Sequence, residues 1–146
     1  MYRILLATDG SKSMKRLVEE VLTIAAAVKA EVTILNVIEH SDYSYMVNTP
    51  YTVEVKNDVT KQLKIEAERI VDEAAEPFRD QGLTVKTEVV DGERSPADVI
   101  CEFASKGGFN LIAIGSRGLR GMKELFLGSV SNKVAHLGCT NVLIVR

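Results

Sequence analysis

Apolar residues fall along this chain in two alternating rhythms: short continuous runs, and longer stretches spaced three and four apart. Arg3 to Thr8 is a short apolar run closed by Asp9-Gly10-Ser11, residue types that end a strand and open a turn. Met14, Leu17, Val18, Val21, Ile24, Ala25 and Val28 then share one helical face, with Ser11 or Ser13 as N-cap. Glu31 to Ile38, rich in β-branched residues, reads as a second strand. From Glu39 to Thr52 the periodicity lapses, and a loop holding Tyr43, Tyr45, Met46 and Tyr51 is expected, suited to a lid or a partner contact. A long helix is predicted from about Glu54 to Arg79 on Val59, Leu63, Ala67, Ile70, Ala74 and Phe78, stopped by Gln81-Gly82. Leu83 to Val90 alternates apolar and polar residues, as a strand with one wet face does.

The second half repeats the rhythm. Ser95-Pro96-Ala97-Asp98 combines a capping serine, a first-turn proline and a carboxylate at a positive helix end. The helix it starts buries Ile100, Phe103 and Ala104 and stops at Gly107-Gly108. Leu111 to Ile114 is a wholly apolar fourth strand running into Gly115. Ser129 caps a last helix on Val130, Val134 and Leu137, Gly138 stops it, and Val142 to Val145 is the final strand.

Strands alternating with helices imply βαβ units and a parallel sheet, because parallel neighbours need long crossovers. Right-handed crossovers make 3-2-1-4-5 the economical order: an open five-stranded parallel α/β sheet with helices on both faces, Rossmann-like. A crevice then opens between strands one and four. The alternating third strand suits one sheet edge. The apolar fifth strand at the other edge invites pairing with a second copy, so a two-fold homodimer through the C-terminal strand is expected; the alternative is that side chains screen a short edge.

With 146 residues, 46% apolar and 26% charged, the composition fits a single packed domain over 1–146. A net charge of -2 argues against a general grip on nucleic acid, without excluding a local anion site. No apolar run approaches the roughly 18 to 20 residues that span a bilayer, and the first residues are too short for a signal-peptide core. A cytoplasmic protein without a membrane association is expected. Cys101 and Cys139 lack zinc-ligand spacing and read as ordinary thiols.

The most informative stretch runs from Gly115 to Val130. It begins at the carboxyl end of strand four, where open α/β sheets bind ligands, opposite the Asp9 turn. Gly115 and Gly118 can fold a loop of inward-facing N–H groups, since glycine permits positive φ and close backbone approach. Gly128, Ser129 and Val130 then present a helix N-terminus, whose unpaired amides and positive dipole favour phosphate. Arg117, Arg120 and Lys123 add positive charge, though each can equally face water. Taken singly, each glycine reads as a turn or a packing point; in this order they point to anion binding.

Gly115-x2-Gly118-x9-Gly128-Ser129 resembles the glycine signature of ATP-binding universal stress proteins, and Ile4-Leu5-Leu6-Ala7-Thr8-Asp9-Gly10-Ser11 is similar to that family's first strand and turn. The resemblance spans nearly the whole chain. It implies that Gly115, Gly118, Gly128 and Ser129 hold a triphosphate, that Asp9 faces the adenosine, and that the backbone of Val37 contacts adenine. It further implies ATP, with AMP or ADP as alternatives, and Mg2+ accompanying the phosphates. Asp9 read without the resemblance is equally a turn-forming aspartate. Before the last strand this chain has Gly138-Cys139-Thr140-Asn141 where the family often has a Pro-Cys-Pro turn, which bears on the dimer edge.

Several enzyme classes are set aside. Neither the P-loop pattern nor Gly-x-Gly-x-x-Gly occurs, and the His-x-Gly-His and Ser-Gly-Gly-x-Asp-Ser signatures of adenylating relatives are missing. His40 and His136 have no triad or metal spacing; His136 is expected against terminal helix carbonyls. With no water-activating base in view, at most slow ATP hydrolysis is expected. The reading is a nucleotide-responsive regulatory module of a stress response with an unknown protein partner; a nucleotide-free interaction protein of the same fold is the alternative.

Overall fold

The structure, a computed structural model, describes residues 1–39, 53–117 and 126–146. The elements are β1 (Arg3–Ala7), α1 (Met14–Val28), β2 (Glu31–Glu39), α2 (Val53–Asp80), β3 (Val85–Gly92), α3 (Pro96–Gly107), β4 (Leu111–Gly115), α4 (Ser129–Leu137) and β5 (Asn141–Val145). The five strands form one sheet in the order β3-β2-β1-β4-β5. Every pairing is parallel, with Ala7 opposite Leu35 on one side of β1 and opposite Ile114 on the other. The expected order and class hold.

The apolar runs fill two cores because successive side chains of a strand point to opposite faces. Ile4, Leu6, Val32 and Ile34 pack with Leu17 and Val21 of α1 and with Val71, Ala74 and Phe78 of α2. Leu5, Leu35, Ile112 and Ile114 pack on the other face with Ala97, Ile100 and Ala104 of α3 and Val134 of α4. Ile4, Leu5 and Leu6 have no exposed surface, and burying such side chains stabilises by about 1.5–3 kcal/mol each.

Several boundaries differ from the expected ones. Leu83 and Thr84 precede β3: the Leu83 N–H donates to the Phe78 carbonyl, so the end of α2 claims residues whose alternation resembles a strand. Val28 and Leu137 are about half exposed, since each sits in a last helical turn beside a left-handed residue, Lys29 and Gly138, that leads the chain away. Gly128, rather than Ser129, is the N-cap of α4. The Tyr43–Tyr51 segment and His40 lie outside the described residues, as do Gly118, Arg120 and Lys123.

Cys101 and Cys139 are free thiols. Burial, reinforced by the Cys139 thiol, pushes the Cys101 thiol up to about 12, so it stays protonated and unreactive. His136 lies with Nδ1 3.0 Å from the Asn132 carbonyl, inside its own helix. Among the described residues no group of His, Cys, Asp and Glu side chains is arranged to hold a metal ion, and no helix is long and apolar enough to cross a membrane.

The turn after β1 depends on Gly10. Its φ is +78°, a left-handed conformation that disfavours a side chain, and an added Cβ would lie 2.7 Å from Ile70 Cδ1. Gly10→Ala is expected to destabilise the fold by about 1–3 kcal/mol in urea titrations. An unchanged midpoint would show that the turn does not need this conformation.

Candidate functional site

A cavity of about 720 Å³ lies over the carboxyl ends of β1, β2 and β4, within the range of about 300–1,000 Å³ usual for small-molecule sites. Its described lining includes Asp9, Val37, Gly115, Arg117, Gly128, Ser129 and Val130. Every expected site residue that the structure describes thus borders one space. It exists because the chain leaves β1 and β4 toward opposite faces of the sheet, so among the described residues nothing fills the gap between them.

Three helix starts border this cavity, and two of them, those of α3 and α4, have opposite electrostatic states; the third, at α1, has Ser13 as N-cap without a side-chain capping bond. At α3 the Ser95 hydroxyl accepts from the Asp98 N–H at 3.4 Å and donates to its carboxylate at 2.6 Å. Lys133 Nζ donates to both, 2.8 Å from each oxygen. The Lys133 ammonium, followed by the Ser95 hydroxyl, holds the Asp98 carboxyl below the usual carboxylate range. The positive end of α3 is therefore already answered by the protein's own anion.

At α4 the corresponding groups are open. The N-cap is Gly128, which has no side chain to cap the turn. Asn132 is the first residue to bond back, its N–H donating to the Gly128 carbonyl at 3.0 Å. The N–H groups of Ser129, Val130 and Ser131 stand before it, in positions that have no partner within a helix. Gly128 itself departs from the expected donor role, because its N–H donates to the Ser116 carbonyl at 2.7 Å. Its contribution is to join the helix start to the end of β4. Gly115 likewise takes no positive φ. It permits close approach: a Cβ there would lie 3.0 Å from Ser13 Oγ.

The opposite wall is the turn after β1. Asp9 Oδ1 accepts from the Ser11 N–H at 2.9 Å, the geometry of a turn-forming aspartate, while the residue also borders the cavity. Ser13, one of the two caps expected from sequence, is the N-cap of α1 but makes no side-chain capping bond; the Ser11 and Ser13 hydroxyls lie 3.0 Å apart and donate across the crevice to the Arg117 carbonyl at 3.5 and 3.3 Å. Ser131, 2% exposed, donates to the Gly128 carbonyl at 3.0 Å and steadies the helix start. No periodicity marks Ser11 and Ser13, since their shared partner is a distant carbonyl. On the third side, β2 runs past the end of β1: the Leu35 carbonyl accepts from the Thr8 N–H at 3.0 Å, while pairing of β2 with β3 continues to Glu39. Polar groups of a strand alternate sides, so the Val37 N–H and C=O face the side that β1 has left.

A family model described as the universal stress protein family matches residues 1–146. The chain belongs to the universal stress protein family. Its relatives include universal stress protein YxiE of Bacillus subtilis, 35% identical over 99% of this chain and 98% of that one. The solved structure of MJ0577, a universal stress protein of Methanocaldococcus jannaschii, superposes with a TM-score of 0.84 at 28% identity, covering 98% of this chain and 94% of that one. A universal stress protein solved in complex with cAMP superposes with a TM-score of 0.68 at 27% identity, covering 99% of this chain and 96% of the other.

The Asp98 cluster carries a pH signature with a fixed sign. A carboxyl whose folded pKa is depressed adds stability above its unfolded value of about 3.9, and that stability is lost as pH falls through the folded value. Asp98→Asn is therefore expected to lower the melting temperature most above about pH 5 and to converge with the parent toward pH 2–3. Parallel melting curves across that range would exclude a charge-based contribution.

Proposed function

We propose that this family member binds ATP in the crevice and acts as a nucleotide-responsive regulatory module. The observation that carries this reading is the uncapped first turn of α4, whose Ser129, Val130 and Ser131 amides border a cavity of nucleotide size while the neighbouring α3 terminus is closed by Asp98. In this reading those amides and the Ser129 hydroxyl hold phosphate together with Gly118, and Arg117 adds positive charge at the rim. Mg2+ arrives with the triphosphate and neutralises part of its charge, with ligands from phosphate and water.

At the other end of the cavity, the Val37 N–H and C=O match the edge of adenine. The N–H suits the N1 acceptor and the carbonyl suits the 6-amino donor. Asp9 beside them suits ribose hydroxyls, which are donors. The cAMP complex of a relative 27% identical supports an adenine nucleotide as the ligand class. The site supplies positioning and charge, and in this reading hydrolysis is at most slow. A cytoplasmic setting belongs to the same reading, and the unpaired Cys101 and Cys139 suit a reducing compartment.

The same reading includes a homodimer through β5. That strand lies at the sheet edge with Val142, Leu143 and Ile144 only half-buried. Its entry is fixed by Thr140 Oγ1, which donates to the Phe109 carbonyl at 3.1 Å, and by Asn141 Nδ2, which donates to the Asn110 carbonyl at 3.2 Å. These bonds anchor the strand where relatives often place prolines.

Isothermal titration of nucleotide-stripped protein with ATP and Mg2+, ADP and AMP in parallel is expected to give saturable heat, strongest with ATP, and weakened at least about tenfold by Gly118→Val. No heat with any adenine nucleotide would overturn the nucleotide reading; AMP binding as tightly as ATP would overturn the triphosphate part. Sedimentation equilibrium is expected to give a dimer at micromolar concentration, and a monomer throughout would remove the β5 interface.

A further inference from the structure

Parallel pairing of β1 with β2 reaches Leu35, which bonds to β1 through the Thr8 N–H. If the ladder ran one step further, the Val37 N–H would donate to the Thr8 carbonyl and the Val37 carbonyl would accept from the Gly10 N–H. Both of those partners are engaged elsewhere. Asn36 Nδ2 donates to the Thr8 carbonyl at 2.9 Å, and the Gly10 N–H donates to Thr8 Oγ1 at 3.2 Å.

We propose that Asn36 is a positioning residue for base recognition: its side-chain amide, seconded by the Thr8 hydroxyl, halts the β1–β2 ladder one step early and so keeps the Val37 N–H and C=O open to read the edge of a nucleobase. Asn36 is 6% exposed and borders the cavity, so its amide is held in place by packing as well as by its bond. A buried amide is costly unless it is satisfied. Here it is satisfied by the one carbonyl whose release would let the sheet zip shut. The inference rests on the adenine nucleotide reading and says which atoms make it selective. Adenine offers an acceptor at N1 beside a donor at its 6-amino group, the complement of an N–H followed by a C=O. Hypoxanthine offers a donor and an acceptor in the reverse order, and meets the same strand edge with like groups opposed.

The test has an arm that needs no ligand. In the nucleotide-free protein the Val37 amide is expected to exchange with deuterium at least about tenfold faster than the Leu35 amide, which lies within the ladder. In Asn36→Leu, and separately in Thr8→Val, Val37 exchange is expected to slow toward that of Leu35. Alongside, the parent protein is expected to prefer ATP over ITP by at least about tenfold, a ratio that falls toward one in Asn36→Leu because ATP loses affinity and ITP does not. A variant that merely loosened the fold would weaken both nucleotides together and raise exchange throughout β2. Equal protection of Val37 and Leu35 in the free parent overturns the proposal, as does an unchanged ATP to ITP ratio in Asn36→Leu. Failure of every nucleotide to bind the parent would instead overturn the reading beneath it, and the exchange rates would still decide whether Asn36 halts the ladder.

Discussion

The central constraint on this molecule is the hydrogen bonding of β1 and the place where it gives out. Arg3–Ala7 is paired on both flanks, to β2 and to β4, and its side chains are shared between two cores. A strand so placed cannot slip by one residue without exchanging those cores. Its end is therefore fixed in space, and the turn through Asp9 and Gly10 has to leave toward α1 at that point. β4 ends level with it and leaves toward α4 on the opposite face. The cavity is what remains between two exits that diverge.

Around that gap the protein disposes its charge unevenly. The start of α3 has a serine, an aspartate and a lysine gathered on it, so its amides and dipole are used internally. The start of α4 has a glycine in the capping position and no anion in its first turn. Because low-dielectric walls strengthen any field at a partly buried site, the α4 terminus keeps a positive field that the α3 terminus has spent on Asp98. The serines of the β1 turn, reaching the Arg117 carbonyl, bring the facing walls to a defined separation. The groups that face the crevice from α4 and from the strand edge of β2 are main-chain groups, whose positions follow from the sheet.

Much of this was legible in the sequence, for an identifiable reason. A buried parallel strand is apolar on both faces and a crossover helix is apolar on one, so the alternation of the two rhythms carried element order and, through the handedness of crossovers, strand order. That Gly115, Gly128 and Ser129 border one crevice was legible because a strand end and a helix start are marked by local residue types. Leu83 and Thr84 misled because a helix cap and a strand edge both accept one apolar residue beside one polar residue. Val28 and Leu137 misled because helical spacing continues into a last turn that the core no longer reaches.

The sequence by itself determined the class of fold, the order of its strands and which segments border the crevice, since these follow from periodicity and backbone freedom within short windows. Only the tertiary structure decided how each polar group is employed. It gave the Gly128 amide to the Ser116 carbonyl, turned Ser11 and Ser13 across the crevice, and set Asn36 against Thr8. Those bonds join residues far apart in the chain, and a hydrogen bond depends on a few tenths of an ångström that no local pattern encodes.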